Sequence, residues 1–265
     1  MNITGIVLAA LIVGGTGLLI GLVLGKAGSI FAVEEDEKEA AILEALPGNN
    51  CGGCGYAGCA GLAAAIAKGE APTGGCPVGG APVAEKIAKI MGVEAGEQVH
   101  MVAMVKCAGV FEKANRSYEY TGLQDCSIIN VMQNQGPKSC VYGCLGYGNC
   151  VSVCPFDAIH IVDGIALVDR ENCKACGKCI QACPRNIIEM VPYDQKIFVK
   201  CNSCDKGKDV MSVCLSGCIA CKMCERVCES DAIKVVNNLA HIDPAKCTVC
   251  GKCAEKCPKK IIRRV

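Results

Sequence analysis

Cysteines dominate the residues of this chain that could do chemistry: 25 of its 265 residues are cysteine. The C-terminal part holds two runs of the form C-x2-C-x2-C-x3-C, at 218–228 and 247–257. This spacing is the ligand pattern of paired [4Fe–4S] clusters, in which the fourth cysteine of each run ligates the cluster of the other run. The runs therefore predict two ligand sets. Set 4 comprises Cys218, Cys221, Cys224 and Cys257, and set 5 comprises Cys228, Cys247, Cys250 and Cys253.

The chain repeats this pattern upstream, from residue 140 onward, at an offset of 74 residues. Such self-similarity indicates two copies of one structural unit. One ligand is missing from the first copy, because Tyr147 stands where Cys221 stands in the second. Cys140, four residues before Cys144, is the nearest replacement in the sequence. The first copy then predicts set 2, with Cys140, Cys144, Cys150 and Cys183, and set 3, with Cys154, Cys173, Cys176 and Cys179.

A different cysteine pattern, C-x2-C-x4-C-x16-C, precedes both copies. Glycines around its first three cysteines allow the backbone to curl about a metal. Short helices are predicted beside it, at 58–68 and 82–91. The pattern predicts a further cluster on set 1, which comprises Cys51, Cys54, Cys59 and Cys76. With sets 2 to 5 the total is about five [4Fe–4S] clusters and about 20 iron atoms.

Five cysteines fall outside these sets. Cys214 is the counterpart of Cys140, and an intact second copy has no need of it. With Cys201 and Cys204 it forms a candidate three-ligand site that lacks an obvious fourth ligand. The sequence assigns no role to the complete group: Cys107, Cys126, Cys201, Cys204 and Cys214.

Disulfide bonds or zinc could also account for so many cysteines. A disulfide framework is typical of short secreted chains, whereas this chain is long and its cysteines fall in tight C-x2-C runs. Zinc sites use separated cysteine or histidine pairs and do not require the proline that follows three of the runs, at Pro155, Pro184 and Pro258. Zinc remains an alternative chiefly for set 1. After the remaining run, 218–228, Glu229 takes the place of the proline.

Other function classes find no support in the chain. It has three histidines and no evident nucleophile, paired carboxylates or histidine base, so independent substrate chemistry is not expected. There is no dinucleotide-binding fingerprint. No basic run with interleaved aromatic residues indicates nucleic acid.

Residues 3–25 contain no charged side chain, and about 20 apolar residues are enough to cross a bilayer as a helix. The start lacks the positive charge of a secretory signal. This stretch predicts a membrane-spanning helix, with Gly17, Gly21 and Gly25 on one face for packing against a partner helix. It carries no charge for an ion pathway of its own.

Together these patterns predict an α+β protein with the following parts: a transmembrane anchor at 1–27, a small, mostly helical [4Fe–4S] domain at 28–95, a connector at 96–138, a first ferredoxin-like unit at 139–193, a second connector at 194–212 and a second ferredoxin-like unit at 213–265.

The order of these parts resembles a known family. An N-terminal apolar helix, then "CGGCGYAGC", then "CVYGCLGYGNCVSVCPFDAI", is similar to the B subunits of the Rnf complex. The resemblance covers essentially the whole chain. It implies an electron-transfer subunit of a membrane-bound, ion-translocating ferredoxin:NAD oxidoreductase, enzymatic only within the complex. Its partners would be a reduced soluble ferredoxin and the other subunits, with NAD chemistry on one of those.

The charge-free span, together with the need to keep thiols reduced for cluster assembly, predicts a location: a single-pass protein of the cytoplasmic membrane, with its iron–sulfur domains on the cytoplasmic side. A basic C-terminal stretch, Lys259, Lys260, Arg263 and Arg264, is a candidate contact for an acidic ferredoxin. Two alternatives from other classes remain. One is a membrane-anchored ferredoxin-like subunit of a hydrogenase or another reductase. The other is a structural metal protein without redox function.

Overall fold

The computed structural model describes residues 3–30, 36–96 and 99–264. Parts of several predicted segments lie outside the described residues: 1–2 of the anchor, 31–35 of the [4Fe–4S] domain predicted at 28–95, 97–98 of the first connector, and the last residue of the second ferredoxin-like unit.

The chain begins with a helix, α1 (Ile3–Ile30), which contains the stretch predicted to span a membrane. Its described leucine and valine side chains are exposed. Within the residues that the structure describes, no helix is both long enough and apolar enough to cross a bilayer.

Three helices build the domain around set 1: α2 (Glu37–Ala45), α3 (Gly58–Ala67) and α4 (Gly80–Met91). Asp36 caps α2 by accepting a hydrogen bond from the Lys38 amide, and Gly92 ends α4 in the left-handed conformation that glycine adopts without strain. Ile42, Leu62 and Ile87 meet in its core at 0–1% exposure. The two helices predicted beside set 1 are confirmed.

The first ferredoxin-like unit consists of two antiparallel strand pairs and two short helices. A hairpin joins β2 (Ile159–Val162) to β3 (Ile165–Val168), and β1 (Met101–Val105) pairs with β4 (Ile188–Pro192). Helices α6 (Asn149–Ser152) and α7 (Lys178–Gln181) follow the cysteine turns. Ahead of them lie α5 (Cys126–Asn130) and a 3₁₀ helix (Gln133–Gln135). Strand β1 therefore brings part of the predicted first connector into this unit.

The second unit repeats the same plan. Its hairpin joins β6 (Ile233–Val236) to β7 (Leu239–Ile242), and β5 (Ile197–Val199) pairs with β8 (Ile262–Arg264). Helix α8 (Gly207–Val213) precedes the runs, and α9 (Met223–Arg226) and α10 (Lys252–Lys256) follow the cysteine turns. Here β5 comes from the predicted second connector, at the position that β1 has in the first unit.

Backbone hydrogen bonds join the two units. The Asn115 amide donates to the Val213 carbonyl over 2.9 Å, and the Leu215 amide donates to the Lys113 carbonyl over 2.7 Å. Ala114 and Cys214 thereby form an isolated antiparallel bridge. The α+β architecture is confirmed, and these bonds bring residues 113–115 of the first unit beside the start of the cysteine runs of the second.

Candidate metal centres

Set 4 surrounds a cavity of about 20 Å³ in the second unit. All four predicted cysteines line it, together with apolar side chains such as Val235 and Ile261. Burial, with the adjacent thiols of the set, raises the pKa of Cys224 to about 11. The structure brings together the set that the sequence predicts: Cys218, Cys221, Cys224 and Cys257.

Set 5 is assembled in the same unit. Burial, with the thiols of Cys247, Cys228 and Cys250, raises the pKa of Cys253 to about 11. The Ala232 amide donates to the sulfur of Cys228 over 3.3 Å, which fixes that side chain at the end of its run. The four cysteines predicted for set 5 are therefore neighbours.

Set 2 differs from the set that the sequence predicts. A cavity of about 20 Å³ in the first unit is lined by four cysteines, but Cys126 is among them and Cys140 is not. Burial, with the neighbouring thiols of Cys144 and Cys126, raises the pKa of Cys150 to about 12. Cys140 lies in another cavity, together with Cys107, Cys201 and Cys214. The cysteines around the set 2 cavity are Cys126, Cys144, Cys150 and Cys183.

Cys126 reaches this cavity because two side chains hold the first turn of α5. Asp125 caps the helix by accepting from the amides of Ser127, at 2.7 Å, and Ile128, at 3.0 Å. Asn149, inside the second part of the run, accepts from the Cys126 amide over 2.7 Å. The sequence offers one signal for this role, the Asp–Cys–Ser start of a capped helix, but nothing in it indicates which cavity the helix faces.

Tyr147 stands where the missing ligand would be, and its side chain packs against its neighbours there. Its ring meets that of Tyr120 edge-to-face, with centroids 5.9 Å apart, and both rings lie against Cys126 and Ile129. A large aromatic side chain thus fills the volume on one side of Cys126. The replacement thiol comes from 21 residues before this tyrosine, rather than from the nearest cysteine in the sequence.

The four cysteines predicted for set 3 lie close together. Burial, with the thiols of Cys173, Cys176 and Cys154, raises the pKa of Cys179 to about 12. Strand β1 contributes a hydrogen bond to this set, from the Ala103 amide to the sulfur of Cys173 over 3.4 Å. The set therefore depends on a strand that lies outside its own cysteine runs.

Set 1 lies at the N-terminal end of α3 and the turn before α4. Burial raises the pKa of Cys76, which faces Cys59 and Cys51, and the Gly79 amide donates to the Cys76 sulfur over 3.3 Å. Asn50 accepts from the Cys59 amide over 2.8 Å and so ties the first cysteines to the helix. Cys54 packs against the same core.

The donor sets fit iron–sulfur clusters. All 25 cysteines are free thiols. Among residues 3–30, 36–96 and 99–264, no three His, Cys, Asp or Glu side chains are placed to hold a single metal ion. A [4Fe–4S] cluster makes a different demand, because its four thiolates surround a cube of iron and sulfide. Thiols with raised pKa values are protonated at neutral pH, so binding a cluster releases protons from them.

Three family profiles match the chain, and all describe iron–sulfur proteins. A putative Fe-S cluster family matches residues 46–78, the LdpA Fe-S cluster-binding domain matches 149–194, and a 4Fe-4S dicluster domain matches 217–261. These matches support iron–sulfur clusters in the regions of sets 1 and 3, and 4Fe-4S clusters in the region of sets 4 and 5. Cys126 and Cys144 lie before the second matched region.

Curated relatives extend over nearly the whole chain. The B subunit of the Na(+)-translocating ferredoxin:NAD(+) oxidoreductase complex of Acetobacterium woodii is 48% identical over 95% of this chain and 75% of its own length. The B subunit of an ion-translocating oxidoreductase complex of Methanosarcina acetivorans is 40% identical over 95% of each. The B subunit of a proton-translocating ferredoxin:NAD(+) oxidoreductase complex of Clostridium ljungdahlii is 39% identical over 94% of this chain and 89% of its own.

Proposed function

Because the chain belongs to the family of B subunits of Rnf ion-translocating oxidoreductase complexes, we propose that it accepts electrons from a reduced soluble ferredoxin and delivers them toward the membrane and NAD-reactive subunits. Its general role, iron–sulfur electron transfer within such a complex, follows from the family and from the three iron–sulfur profiles. The donor, the direction and the ligand sets are the proposal.

The proposed ligands follow the grouping of the thiols in the structure. Sets 1, 3, 4 and 5 keep the cysteines that the sequence predicts, and in set 2 Cys126 replaces Cys140. A [4Fe–4S] cluster on each set supplies reversible one-electron acceptance. The cysteines hold it, and the apolar side chains around them exclude water. Val235 and Ile261 do this at set 4, and the buried Ile187 and Ile188 at set 2.

The observation that carries the proposal is that neighbouring sets adjoin one another. The thiol of Cys176 in set 3 lies beside that of Cys51 in set 1, and the thiol of Cys150 in set 2 lies beside that of Cys179 in set 3. In the second unit α9 packs against α10, which brings sets 4 and 5 together. Such adjacency is what an electron carrier requires and what a purely structural metal protein does not.

The second unit is the proposed docking side for ferredoxin. Cys221 of set 4 and Cys250 of set 5 are exposed, whereas three of the four cysteines of set 2 are buried. Shortly after Cys257 of set 4 in the sequence, Lys260, Arg263 and Arg264 are exposed, and Lys259 lines the cavity of set 4. A cluster of positive charge at an exposed redox site steers an acidic partner toward it.

Helix α1 is the proposed attachment of the chain to the membrane. Leu11, Leu18 and Leu22 are each more than 60% exposed. Apolar surface of this extent marks a protein or membrane contact. We propose that α1 holds the subunit to the membrane part of the complex, with the iron–sulfur domains on the cytoplasmic side.

The proposal is tested with the full chain, purified without oxygen in detergent. Reduced ferredoxin is expected to bleach its iron–sulfur absorbance, whereas NADH alone is expected to leave it unchanged. A chain with its full complement of iron that reduced ferredoxin does not bleach would contradict the proposed donor.

A further inference from the structure

Four cysteines outside the five proposed sets line a single cavity. It is the same size as the cavities of set 2 and set 4, each about 20 Å³. None of the four falls within a region matched by an iron–sulfur profile. Three of them are buried and Cys140 is partly buried. They are Cys107, Cys140, Cys201 and Cys214.

Each ferredoxin-like unit contributes two of these thiols from equivalent places. Cys107 and Cys201 each follow a Val–Lys pair at the end of the first strand of a unit, β1 or β5. Cys140 and Cys214 each stand four residues before the first cysteine of a run. The cavity therefore lies between the units, with the two pairs arranged by the repeat.

Equivalent amides hold the first pair of sulfurs. The Cys144 amide donates to the sulfur of Cys107 over 3.3 Å, and the Cys218 amide donates to the sulfur of Cys201 over 3.4 Å. The Ala166 amide makes the same kind of bond, over 3.4 Å, to Cys144, a proposed ligand of set 2. Such bonds stabilise a sulfur that carries negative charge.

Positive charge is buried around the cavity. Lys138 is 3% exposed and lines it, and its Nζ donates to the carbonyls of Gly109, at 2.9 Å, and Cys144, at 2.7 Å. Carbonyls satisfy its N–H groups but carry no full charge. Lys200, which is half-buried, also lines the cavity. A buried ammonium group requires negative countercharge, and four thiolates around a [4Fe–4S] core would provide a net charge of about −2.

We propose that Cys107, Cys140, Cys201 and Cys214 hold a sixth [4Fe–4S] cluster, shared between the two ferredoxin-like units. On assembly the four thiols lose their protons and the four thiolates bind one core. The site adjoins set 2 through Cys144 and set 4 through Cys218, whose amides bond to its sulfurs. The site thus joins the two halves of the electron path. That role rests on the proposed function, whereas the binding of a cluster by these four cysteines does not.

This assignment revises the candidate three-ligand site of Cys201, Cys204 and Cys214. It keeps Cys201 and Cys214 as ligands and leaves Cys204 out. Cys204 is exposed and does not line the cavity, and the two remaining ligands come from the first unit. Six sets of four account for 24 of the 25 cysteines. Cys204 is the one left over, and it serves as a matched control.

The first test counts clusters on the unaltered full chain by native mass spectrometry after anaerobic purification. Six cluster-mass increments are expected, with about 24 iron atoms and an equal amount of sulfide. Five increments, or zinc bound in place of the sixth, would overturn the proposal. A chain that carries six clusters but is not reduced by ferredoxin would contradict the proposed function and leave this site standing.

The second test removes one ligand from each unit. Cys107→Ser with Cys201→Ser is expected to lose one mass increment, or about four iron atoms, while Cys204→Ser keeps all six. Six mass increments in the double variant would overturn the assignment. Should the double variant not fold, the single change Cys140→Ser supplies the readout. It is expected to convert one cluster to a three-iron form that is visible by electron paramagnetic resonance, and six intact clusters in that variant would contradict the proposal.

Discussion

The backbone of Gly53 lies directly against that of Cys176, so that a β-carbon on Gly53 would lie 2.6 Å from the Cys176 carbonyl oxygen. The contact joins the domain of set 1 to the first ferredoxin-like unit. Only a residue without a side chain permits so close an approach of two main chains. The thiol of Cys51 is thereby placed beside that of Cys176.

Substituting Gly53 is expected to separate set 1 from set 3. In Gly53→Val the added carbons overlap main chain, which cannot shift as the end of a side chain can, at a cost of about 1–3 kcal/mol. Each set keeps its own cysteines, so the iron content should be unchanged. Stopped-flow measurements should show slower electron equilibration between set 1 and the other sets.

Gly61→Ala is the matched control for that change, because its β-carbon would meet only the Tyr56 β-carbon, at an ordinary 3.7 Å, within the same domain. Equal equilibration rates in the two variants would show that the contact does not set the spacing of the sets.

Removing the thiol of Cys126 is expected to disrupt the cluster of set 2. Cys126→Ser should lose about one to four iron atoms per chain, measured by iron analysis, because set 2 then has three thiols. A second substitution is expected to compensate for the lost thiol. Tyr147 stands at the position of a ligand in the regular run, so Tyr147→Cys in the Cys126→Ser background should restore the iron. A full iron content in Cys126→Ser alone would exclude Cys126 as a ligand.

Neutralising the basic C-terminal stretch is expected to slow the approach of ferredoxin. Changing Lys259, Lys260, Arg263 and Arg264 to Gln should lower the rate of reduction by ferredoxin at low ionic strength and flatten its dependence on salt. The reason is screening, with a Debye length of about 10 Å at 0.1 M. Exposed Lys86 and Lys89 of α4 provide the control when changed to Gln. An unchanged rate and salt slope in the fourfold variant would place the docking site elsewhere.

Removing α1 is expected to release the chain from the membrane fraction. A chain that begins at Asp36 keeps the cap of α2 and every cysteine, so it should be recovered in the soluble fraction with its full iron content. Cell fractionation followed by iron analysis checks both points. In cells that lack the other subunits, a truncated chain that still sediments with membranes would show that α1 is not the anchor.

The cysteine runs predicted local structure well because their ligands follow short-range rules. Regular C-x2-C-x2-C-x3-C spacing predicted the four cysteines that line the set 4 cavity, and the 74-residue repeat predicted two units of the same α+β plan. The glycine- and alanine-rich stretch after Cys54 predicted a helix, and α3 is that helix. In each of these cases, the regular spacing of the runs or the repeat determines which residues become neighbours in space.

Only the tertiary structure decided which distant cysteines meet. The sequence favoured Cys140 for set 2 because it is the nearest spare thiol, yet the capped start of α5 brings Cys126 to that cavity. Cys140 instead meets Cys107, Cys201 and Cys214, because the strands β1 and β5 and the hydrogen bonds between residues 113–115 and 213–215 bring the two units together. Spacing along the chain determines how a single turn wraps around a cluster, whereas contacts between separately folded units depend on strand pairing and packing that cysteine spacing does not encode.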